Sequence, residues 1–328
     1  MHDFLSPSTL SKPLRLIFYG TPEFGIPSLD LLRCNGYEFP AIVTAPDKPA
    51  GRGRKIQITP VKEYALEHGL RILQPTNLKA PEFIDTLKEI NPDLQLVIAF
   101  RMMPRVVWEL PPIGTFNLHA SLLPQYRGAA PINWAIINGE KETGLTTFFL
   151  QHQIDTGDIL FSKKVEINEE DNAGTLHDKL MMIGADLVLQ TVQAIESGTA
   201  IPHPQNVMDE LKKAPKIFKE NCKIDWSKSI AEIHNFVRGL SPHPTAWTTV
   251  KDSENKSFNL KIYKTICEEI SHEFEVGINV PIPASPIRIA SKGGFLHLKE
   301  IQMESRNKMN DIEFVRGLKN NYELRIGN

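Results

Sequence analysis

The sequence has no long apolar run, although 41% of its residues are hydrophobic. A helix that crosses a bilayer needs about 20 consecutive apolar residues, and no stretch of this chain approaches that length. We therefore expect no membrane-spanning segment. Residues 1–13 are polar, contain Asp3 and are interrupted by Pro7 and Pro13. They do not resemble a secretory signal, and we expect them to form a loose leader.

Cysteine is also scarce, because only Cys34, Cys222 and Cys267 occur and they lie far apart. This number and spacing fit neither a disulfide framework nor a C-x-x-C metal pair. We therefore expect a protein of the reducing cytoplasm that binds no metal. The net charge of −2 provides no overall attraction for nucleic acid. Any contact with a polyanion must come from local basic segments.

The first part of the chain alternates short apolar runs with segments of helical periodicity. This alternation predicts a largely parallel sheet with helices on both faces. The predicted strands are 14–19, 41–43, 94–100, 116–119 and 146–150, and the predicted helices are 26–32, 61–68, 83–90 and 176–195.

The pattern changes after residue 200, where Ser197-Gly198 and Pro202-His-Pro204 interrupt it. A short helix is predicted at 230–238, and beyond it apolar residues alternate with polar ones, as in antiparallel strands. The alternating residues are Phe258, Leu260, Ile262, Ile287, Ile289, Leu296 and Leu298. We predict a leader at 1–13, a catalytic domain at 14–200, a linker at 201–217 and a small β-barrel domain at 218–328.

Polar side chains occupy the end of the strand predicted at 116–119. Asn117 and His119 are two residues apart, so they share one face of the strand. Open α/β sheets bind ligands at this end of their strands. An amide can hold a developing oxyanion, and an imidazole can transfer protons near neutral pH. Asp155 follows the strand predicted at 146–150 and is a candidate partner for His119. Such a pair also occurs as ordinary hydrogen-bonded strand ends, and Asp155 also fits a simple turn with Gly157.

Two loops carry weaker signals. Residues 20–25 join a strand to a helix but lack the G-x-G-x-x-G spacing, so we expect no dinucleotide cofactor. Residues 46–55 form a basic loop rich in glycine, which is suited to phosphates but is equally typical of a solvated surface. A second basic cluster contains Lys212, Lys213, Lys216, Lys219 and Lys223.

Several motifs together resemble the formyltransferase domain of enzymes that use 10-formyltetrahydrofolate. They are Asn117-Leu-His119, Ser121-Leu-Leu-Pro124, Arg127-Gly-Ala-Ala-Pro131 and Asp155-Thr-Gly-Asp158. The basic loop and the predicted C-terminal barrel narrow the resemblance to the methionyl-tRNA formyltransferases. It implies an α/β fold with a Rossmann-like N-terminal domain, a mostly parallel sheet and an OB-like C-terminal barrel. It also implies transfer of the formyl group of 10-formyltetrahydrofolate to the α-amino group of methionine on initiator tRNA, for translation initiation.

The resemblance also implies roles for individual residues. Asn117, His119 and Asp155 would be catalytic. The folate would contact Ser121, Leu122, Leu123 and Pro124, and the tRNA would contact Arg52, Arg54 and Lys55. The chain would be a monomer whose partners are folate and initiator methionyl-tRNA. Arg101 departs from the family, which has a glycine there, and it is expected to face solvent rather than the folate.

Three other functions fit the same residues. One is formyl transfer to glycinamide ribonucleotide or to an amino sugar nucleotide, which would use the same three residues. Another is hydrolysis of the folate to release formate. The last is tRNA binding without catalysis.

Overall fold

The structure is a computed structural model that describes residues 14–50, 55–206, 210–251, 257–304, 306–317 and 325–327. The described chain divides into two compact units. The first contains residues within 14–127, 143–165 and 177–212, and the second contains residues within 128–142, 166–176 and 213–327. The predicted leader at 1–13 lies outside the described residues. The predicted domain boundaries stay a prediction.

The elements are numbered in chain order. The helices are α1 (Ile26–Cys34), α2 (Pro60–Glu67), α3 (Pro81–Ile90), α4 (Arg105–Trp108), α5 (Pro131–Ile137), α6 (Ala173–Glu196), α7 (Ile230–Leu240) and α8 (Asp311–Arg316), with 3₁₀ turns at Glu23–Gly25 and Lys219–Cys222. The strands are β1 (Arg15–Gly20), β2 (Glu38–Val43), β3 (Lys48–Ala50), β4 (Lys55–Gln57), β5 (Ile72–Leu73), β6 (Leu94–Ile98), β7 (Gly114–His119), β8 (Arg127–Gly128), β9 (Glu142–Phe149), β10 (Ile159–Glu166), β11 (Lys213–Ala214), β12 (Ala246–Lys251), β13 (Ser257–Glu269), β14 (Arg288–Ser291), β15 (Gly294–Met303), β16 (Met309–Asn310) and β17 (Arg325–Gly327).

A seven-stranded sheet forms the centre of the first unit, in the order β10-β9-β7-β6-β1-β2-β5. The neighbours from β7 to β5 pair in parallel, and β9 joins β7 in the antiparallel direction. Every residue of β6 is buried, as is every residue of β1 after Arg15. Strands covered on both faces require such continuous apolar runs, so the mostly parallel sheet predicted from those runs is confirmed.

The helices of the first unit follow their sequence signals. Pro81 begins α3 at a position where a missing N–H costs little, and Asn91 ends it with φ of 48°. Phe83, Leu87 and Ile90 lie on one face of α3 and pack into the core beside the sheet. The predicted helical spacing is therefore confirmed for this element.

The second unit contains an antiparallel sheet in the order β14-β15-β13-β12-β17, with β16 also paired to β15. The alternating residues predicted as strands of an OB-like barrel belong to this sheet or to its core. Helix α7 begins at a capping box in which Ser229 and Glu232 bond each other's backbone N–H groups. Its apolar face, which includes Ile233 and Val237, packs into the same core. The α/β class with a mostly parallel and an antiparallel sheet is confirmed.

Candidate functional site

The parallel strands of the first unit end at one edge of the sheet, and polar residues gather there. Strand β7 ends at His119, next to β6, which ends at Ile98. A cavity of about 670 Å³ is lined by residues that follow β1, β2 and β6, among them Thr21, Ala45 and Ala99. Ligands of open α/β sheets bind at this edge.

Asn117 lies inside β7, opposite Val97 of β6 and Phe148 of β9. Its side chain is only half-buried, and within the described part of the chain its amide has no hydrogen-bond partner. A strand-end asparagine with a structural role would use its amide to bond the neighbouring backbone. The Asn117 amide is instead available to donate to a group from outside the protein.

His119 is held by a backbone carbonyl. Its Nε2 lies 2.9 Å from the carbonyl oxygen of Tyr126, and this oxygen can only accept a hydrogen bond. Nε2 therefore carries the hydrogen, so Nδ1 of the neutral ring has the lone pair. Tyr126 itself has φ of 59°, and its N–H donates to the carbonyl of Lys212 at 2.7 Å. The ring is thus fixed with its basic nitrogen turned away from Tyr126.

Asp155 is the group that Nδ1 of His119 faces. Its Oδ2 lies 3.9 Å from that nitrogen, which is an ion-pair distance but is longer than a hydrogen bond. The two side chains are 8% and 13% exposed, so little water screens the interaction between them. The structure brings Asp155 and His119 together, but the hydrogen bond that orients the ring comes from Tyr126, which sequence reasoning missed.

The loop that carries Asp155 is shaped by close contacts with β9. A Cβ added at Gly157 would lie 1.6 Å from the carbonyl oxygen of Phe149, so only glycine fits there. The N–H of Phe149 donates to the carbonyl of Asp158 at 3.0 Å. Asp155 has φ of 55°, a left-handed conformation that Asp tolerates better than most residues. Tertiary contacts therefore set the direction of its carboxylate.

The turn predicted to contact folate follows directly after His119. Ser121, Leu123 and Pro124 are buried, and Leu122 is half-buried. The Ser121 hydroxyl donates to the carbonyl of Gln125 at 2.7 Å, which stabilises the turn. The backbone of the turn is also bonded internally, because the Ser121 carbonyl accepts from Oγ1 of Thr146 at 2.7 Å and the Leu122 carbonyl accepts from the N–H of Gln125 at 3.1 Å. The half-buried Leu122 side chain is therefore the part of this turn that remains accessible to a ligand.

Arg101 is exposed, but its guanidinium is not free in solvent. It donates to the backbone carbonyls of Pro75 and Thr76, and it lies 5.7 Å from the ring centroid of Phe100. It also lines the cavity at the sheet edge. Arg101 thus links the segment after β6 to the segment after β5 and forms part of the cavity wall.

The basic segments are described only in part. Arg52 and Arg54 lie outside the described residues. Lys55 begins β4, which pairs antiparallel with β3, so the ends of the predicted loop form a two-stranded ribbon. The clustered lysines are all exposed; they are Lys212, Lys213, Lys216, Lys219 and Lys223. Their exposure is compatible with a polyanion partner and also with a solvated surface.

The described residues contain neither a metal-binding cluster nor a membrane-spanning helix. Across residues 14–50, 55–206 and the later described ranges, no three His, Cys, Asp or Glu side chains are arranged to hold a metal ion. In the same part of the chain no helix is long and apolar enough to cross a membrane.

Family models match both parts of the chain. Residues 14–192 match the model described as formyl transferase, and residues 216–319 match the formyl transferase C-terminal domain. The fold and the residues at the sheet edge thus belong to a formyl-group transferase.

Relatives define the family more narrowly. The chain is 49% identical over 315 residues to methionyl-tRNA formyltransferase of Flavobacterium johnsoniae, covering 96% of this chain and 99% of the relative. It is 48% identical over 311 residues to methionyl-tRNA formyltransferase of Bacteroides thetaiotaomicron, covering 94% and 97%. This chain belongs to the methionyl-tRNA formyltransferase family.

A solved structure shares the fold at lower identity. The N-formyltransferase of Helicobacter canadensis, solved with folinic acid and dTDP-3-aminofucose, has a TM-score of 0.59 and 22% identity, covering 89% of this chain and all of that chain.

Proposed function

We propose that the chain transfers the formyl group of 10-formyltetrahydrofolate to the α-amino group of methionine carried by initiator tRNA. One observation supports the chemistry most directly. The Asn117 amide, which has no hydrogen-bond partner among the described residues, lies on the same strand as His119, and Nδ1 of His119 faces the Asp155 carboxylate at 3.9 Å. An oxyanion donor, a base and a carboxylate are the groups that attack of an amine on a formyl carbon requires.

In the proposed reaction, the amine nitrogen bonds to the formyl carbon and the formyl oxygen gains negative charge. Asn117 donates a hydrogen bond to that oxygen. His119 accepts the amine proton at Nδ1, where the lone pair lies, and the Asp155 carboxylate stabilises the resulting imidazolium. The bond from the formyl carbon to the folate nitrogen then breaks, and the proton passes to that nitrogen. No step requires a metal ion.

We further propose that both substrates bind along the same edge of the sheet. The folate would lie against the turn of Ser121, Leu122, Leu123 and Pro124, of which the half-buried Leu122 side chain is accessible to it. The acceptor end of the tRNA would enter beside the ribbon of β3 and β4 and contact the positive charges of Arg52, Arg54 and Lys55, the first two of which lie outside the described residues. A monomeric state and a cytoplasmic location stay predictions.

Direct assay tests the function. The purified chain is mixed with 10-formyltetrahydrofolate labelled in the formyl group and with initiator tRNA charged with methionine. We expect labelled formylmethionyl-tRNA. Parallel reactions contain glycinamide ribonucleotide, an amino sugar nucleotide or no acceptor. Transfer to one of these small amines, or release of labelled formate without acceptor, would instead support one of the other functions.

The tRNA contact is tested at Arg52. If this guanidinium contacts a phosphate, Arg52→Ala weakens tRNA binding and reduces the slope of log affinity against log salt by about one. The KM for folate stays unchanged. Arg71→Ala removes an exposed arginine of the same unit and is the control. An unchanged salt slope in Arg52→Ala would contradict the assignment.

A further inference from the structure

Gln205 lies in the segment that sequence analysis treated as a linker. The preceding backbone is fixed to the first unit, because His203 and Ile159 exchange two hydrogen bonds of 2.8 and 3.0 Å. The backbone two residues before Gln205 is therefore held against β10. Its side chain is half-buried.

Both ends of the Gln205 amide bond to groups beside the catalytic residues. Nε2 donates to the backbone carbonyls of Asp155 at 2.8 Å and Gly157 at 2.9 Å. Oε1 accepts from Nε of Arg127 at 3.2 Å and from a terminal guanidinium nitrogen at 2.5 Å. Carbonyls only accept and a guanidinium only donates, so these partners permit one orientation of the amide.

These contacts connect the two loops that set the catalytic geometry. One loop carries Asp155, which has φ of 55° and whose backbone carbonyl accepts directly from the Gln205 amide. The other loop carries Arg127, which directly follows Tyr126, the residue whose carbonyl orients His119. The Gln205 amide thus connects the loop that carries the Asp155 carboxylate to the segment whose Tyr126 carbonyl orients the His119 imidazole.

The segment after Gln205 supports the same region a second time. The carbonyl of Lys212 accepts from the N–H of Tyr126 at 2.7 Å, and the N–H of Lys212 donates to Oε1 of Gln125 at 2.8 Å. Gln125 also donates to the carbonyl of Glu210 at 3.1 Å. The chain on both sides of residues 207–209 therefore contacts the catalytic loops.

We propose that Gln205 is a positioning residue that holds Asp155 in register with His119, and that Arg127 orients the Gln205 amide. This inference rests on the proposed formyl transfer. Gln205 does not touch the reacting atoms in this assignment. It acts through the backbone of the loop that carries the carboxylate.

Two substitutions remove the hydrogen bonds that the Gln205 amide donates to the Asp155 loop. Gln205→Leu removes both donors and the acceptor. Gln205→Glu keeps an acceptor for Arg127 but sets a carboxylate against two carbonyl oxygens. We expect kcat to fall by about 10–100-fold in both variants, since displacement of a catalytic group by about 1 Å costs up to about 10²-fold. The KM for folate stays near its wild-type value. Gln193→Glu, at an exposed glutamine of α6, is the control and should retain full activity.

A double-mutant comparison distinguishes positioning from general stabilisation. In an Asp155→Asn background the carboxylate is already lost, so Gln205→Leu should reduce kcat by less than about twofold. A merely structural glutamine would reduce kcat by the same factor in both backgrounds. That equality, or a Gln205→Leu variant with wild-type kcat, would overturn the proposal.

Hydrogen exchange tests the anchoring without any substrate. Amides of residues 151–158 should exchange faster in Gln205→Leu than in the wild type, and those of α3 should be unchanged. Faster exchange in a chain that transfers no formyl group would reject the proposed function and leave the anchoring intact. Unchanged exchange at 151–158 would reject the anchoring itself.

Discussion

Each unit of the protein contains a buried histidine beside a carboxylate, and these two pairs differ in geometry. In the second unit, Nε2 of His297 lies 2.7 Å from Oε2 of Glu268. The same carboxylate accepts two hydrogen bonds from Arg288, at 2.7 and 2.9 Å. The Arg288 guanidinium in turn lies 3.4 Å from the ring centroid of Phe295. The hydrogen bonds from Arg288, together with the one from His297, lower the pKa of Glu268 to about 2.

In the first unit, the corresponding distance from His119 to Asp155 is 3.9 Å. His119 makes its hydrogen bond to the carbonyl of Tyr126, and the basic nitrogen and the carboxylate are not hydrogen-bonded to each other. We call His297 and Glu268 the closed pair and His119 and Asp155 the open pair. In the closed pair the carboxylate is hydrogen-bonded to His297 and to Arg288, and these bonds stabilise the sheet of the second unit. The open pair keeps a basic nitrogen and a negative charge near each other, an arrangement suited to receiving a proton. The distance between the two groups thus distinguishes the closed pair from the pair to which the proposed function assigns the proton transfer.

The largest expected effect comes from removing the charge of the open pair. Asp155→Asn should reduce kcat by about 10²–10⁴-fold, the range that positioned proton transfer contributes. Asparagine tolerates the left-handed backbone at this position, so the loop and the thermal midpoint should be preserved. Single-turnover formyl transfer and thermal unfolding are the measurements. Asp186→Asn, at an exposed carboxylate of α6, is the control, and equal activity of the two variants would remove the distinction between the pairs.

The next effect concerns the amide beside the open pair. Asn117→Ala should reduce kcat by about 10²–10³-fold, the usual cost of one oxyanion donor. The variant should keep its thermal midpoint, because the Asn117 side chain has no hydrogen bond to lose within the described residues. Rate and melting temperature are measured on the same preparation. Near wild-type turnover would exclude Asn117 as the oxyanion donor, and a large loss of stability would indicate a structural role.

The pattern of the sequence predicted the elements that carry these groups. Continuous apolar runs identified β1 and β6, and the period of two along β7 placed Asn117 and His119 on one face. Such patterns are local, because burial on a strand or helix face repeats at a fixed spacing. The pairing of β7 with β6 then places the end of β7 beside the end of β6, and no further sequence pattern is needed to predict this.

Sequence reasoning failed for contacts made by backbone groups and by isolated side chains. The group of Tyr126 that orients His119 is its backbone carbonyl, which every residue type has, so the sequence contains no signal for this contact. Gln205 lies among prolines in an irregular segment, where a single amide has no periodic pattern. The closed pair of Glu268 and His297 was also missed, because its members come from different strands whose register only the structure gives.

A smaller effect is expected from breaking the closed pair. Glu268→Gln leaves the buried Arg288 group without its carboxylate, so the free energy of unfolding should fall by about 1.5–3 kcal/mol, as for hydrogen bonds to charged groups. The kcat of formyl transfer should be unchanged. Urea unfolding and the transfer assay measure the two quantities. Glu273→Gln, at an exposed carboxylate of the same unit, is the control, and a loss of kcat without loss of stability would show that the pair is not structural.

The smallest effect is the pH dependence of that difference in stability. The pKa of Glu268 is about 2 in the folded protein, below its ordinary value of 4.5, mainly because Arg288 donates hydrogen bonds to the charged form. A lowered folded pKa stabilises the protein above the unfolded value, and this stabilisation is lost as the pH falls from 4.5 toward 2. The difference in thermal midpoint between wild type and Glu268→Gln should therefore be constant near neutral pH and shrink across this window. Other carboxylates titrate in both proteins, so their effects largely cancel in the difference. A gap that widens with falling pH would mean that the charged carboxylate does not stabilise the second unit, and the contrast between a closed and an open pair would then lack its energetic basis.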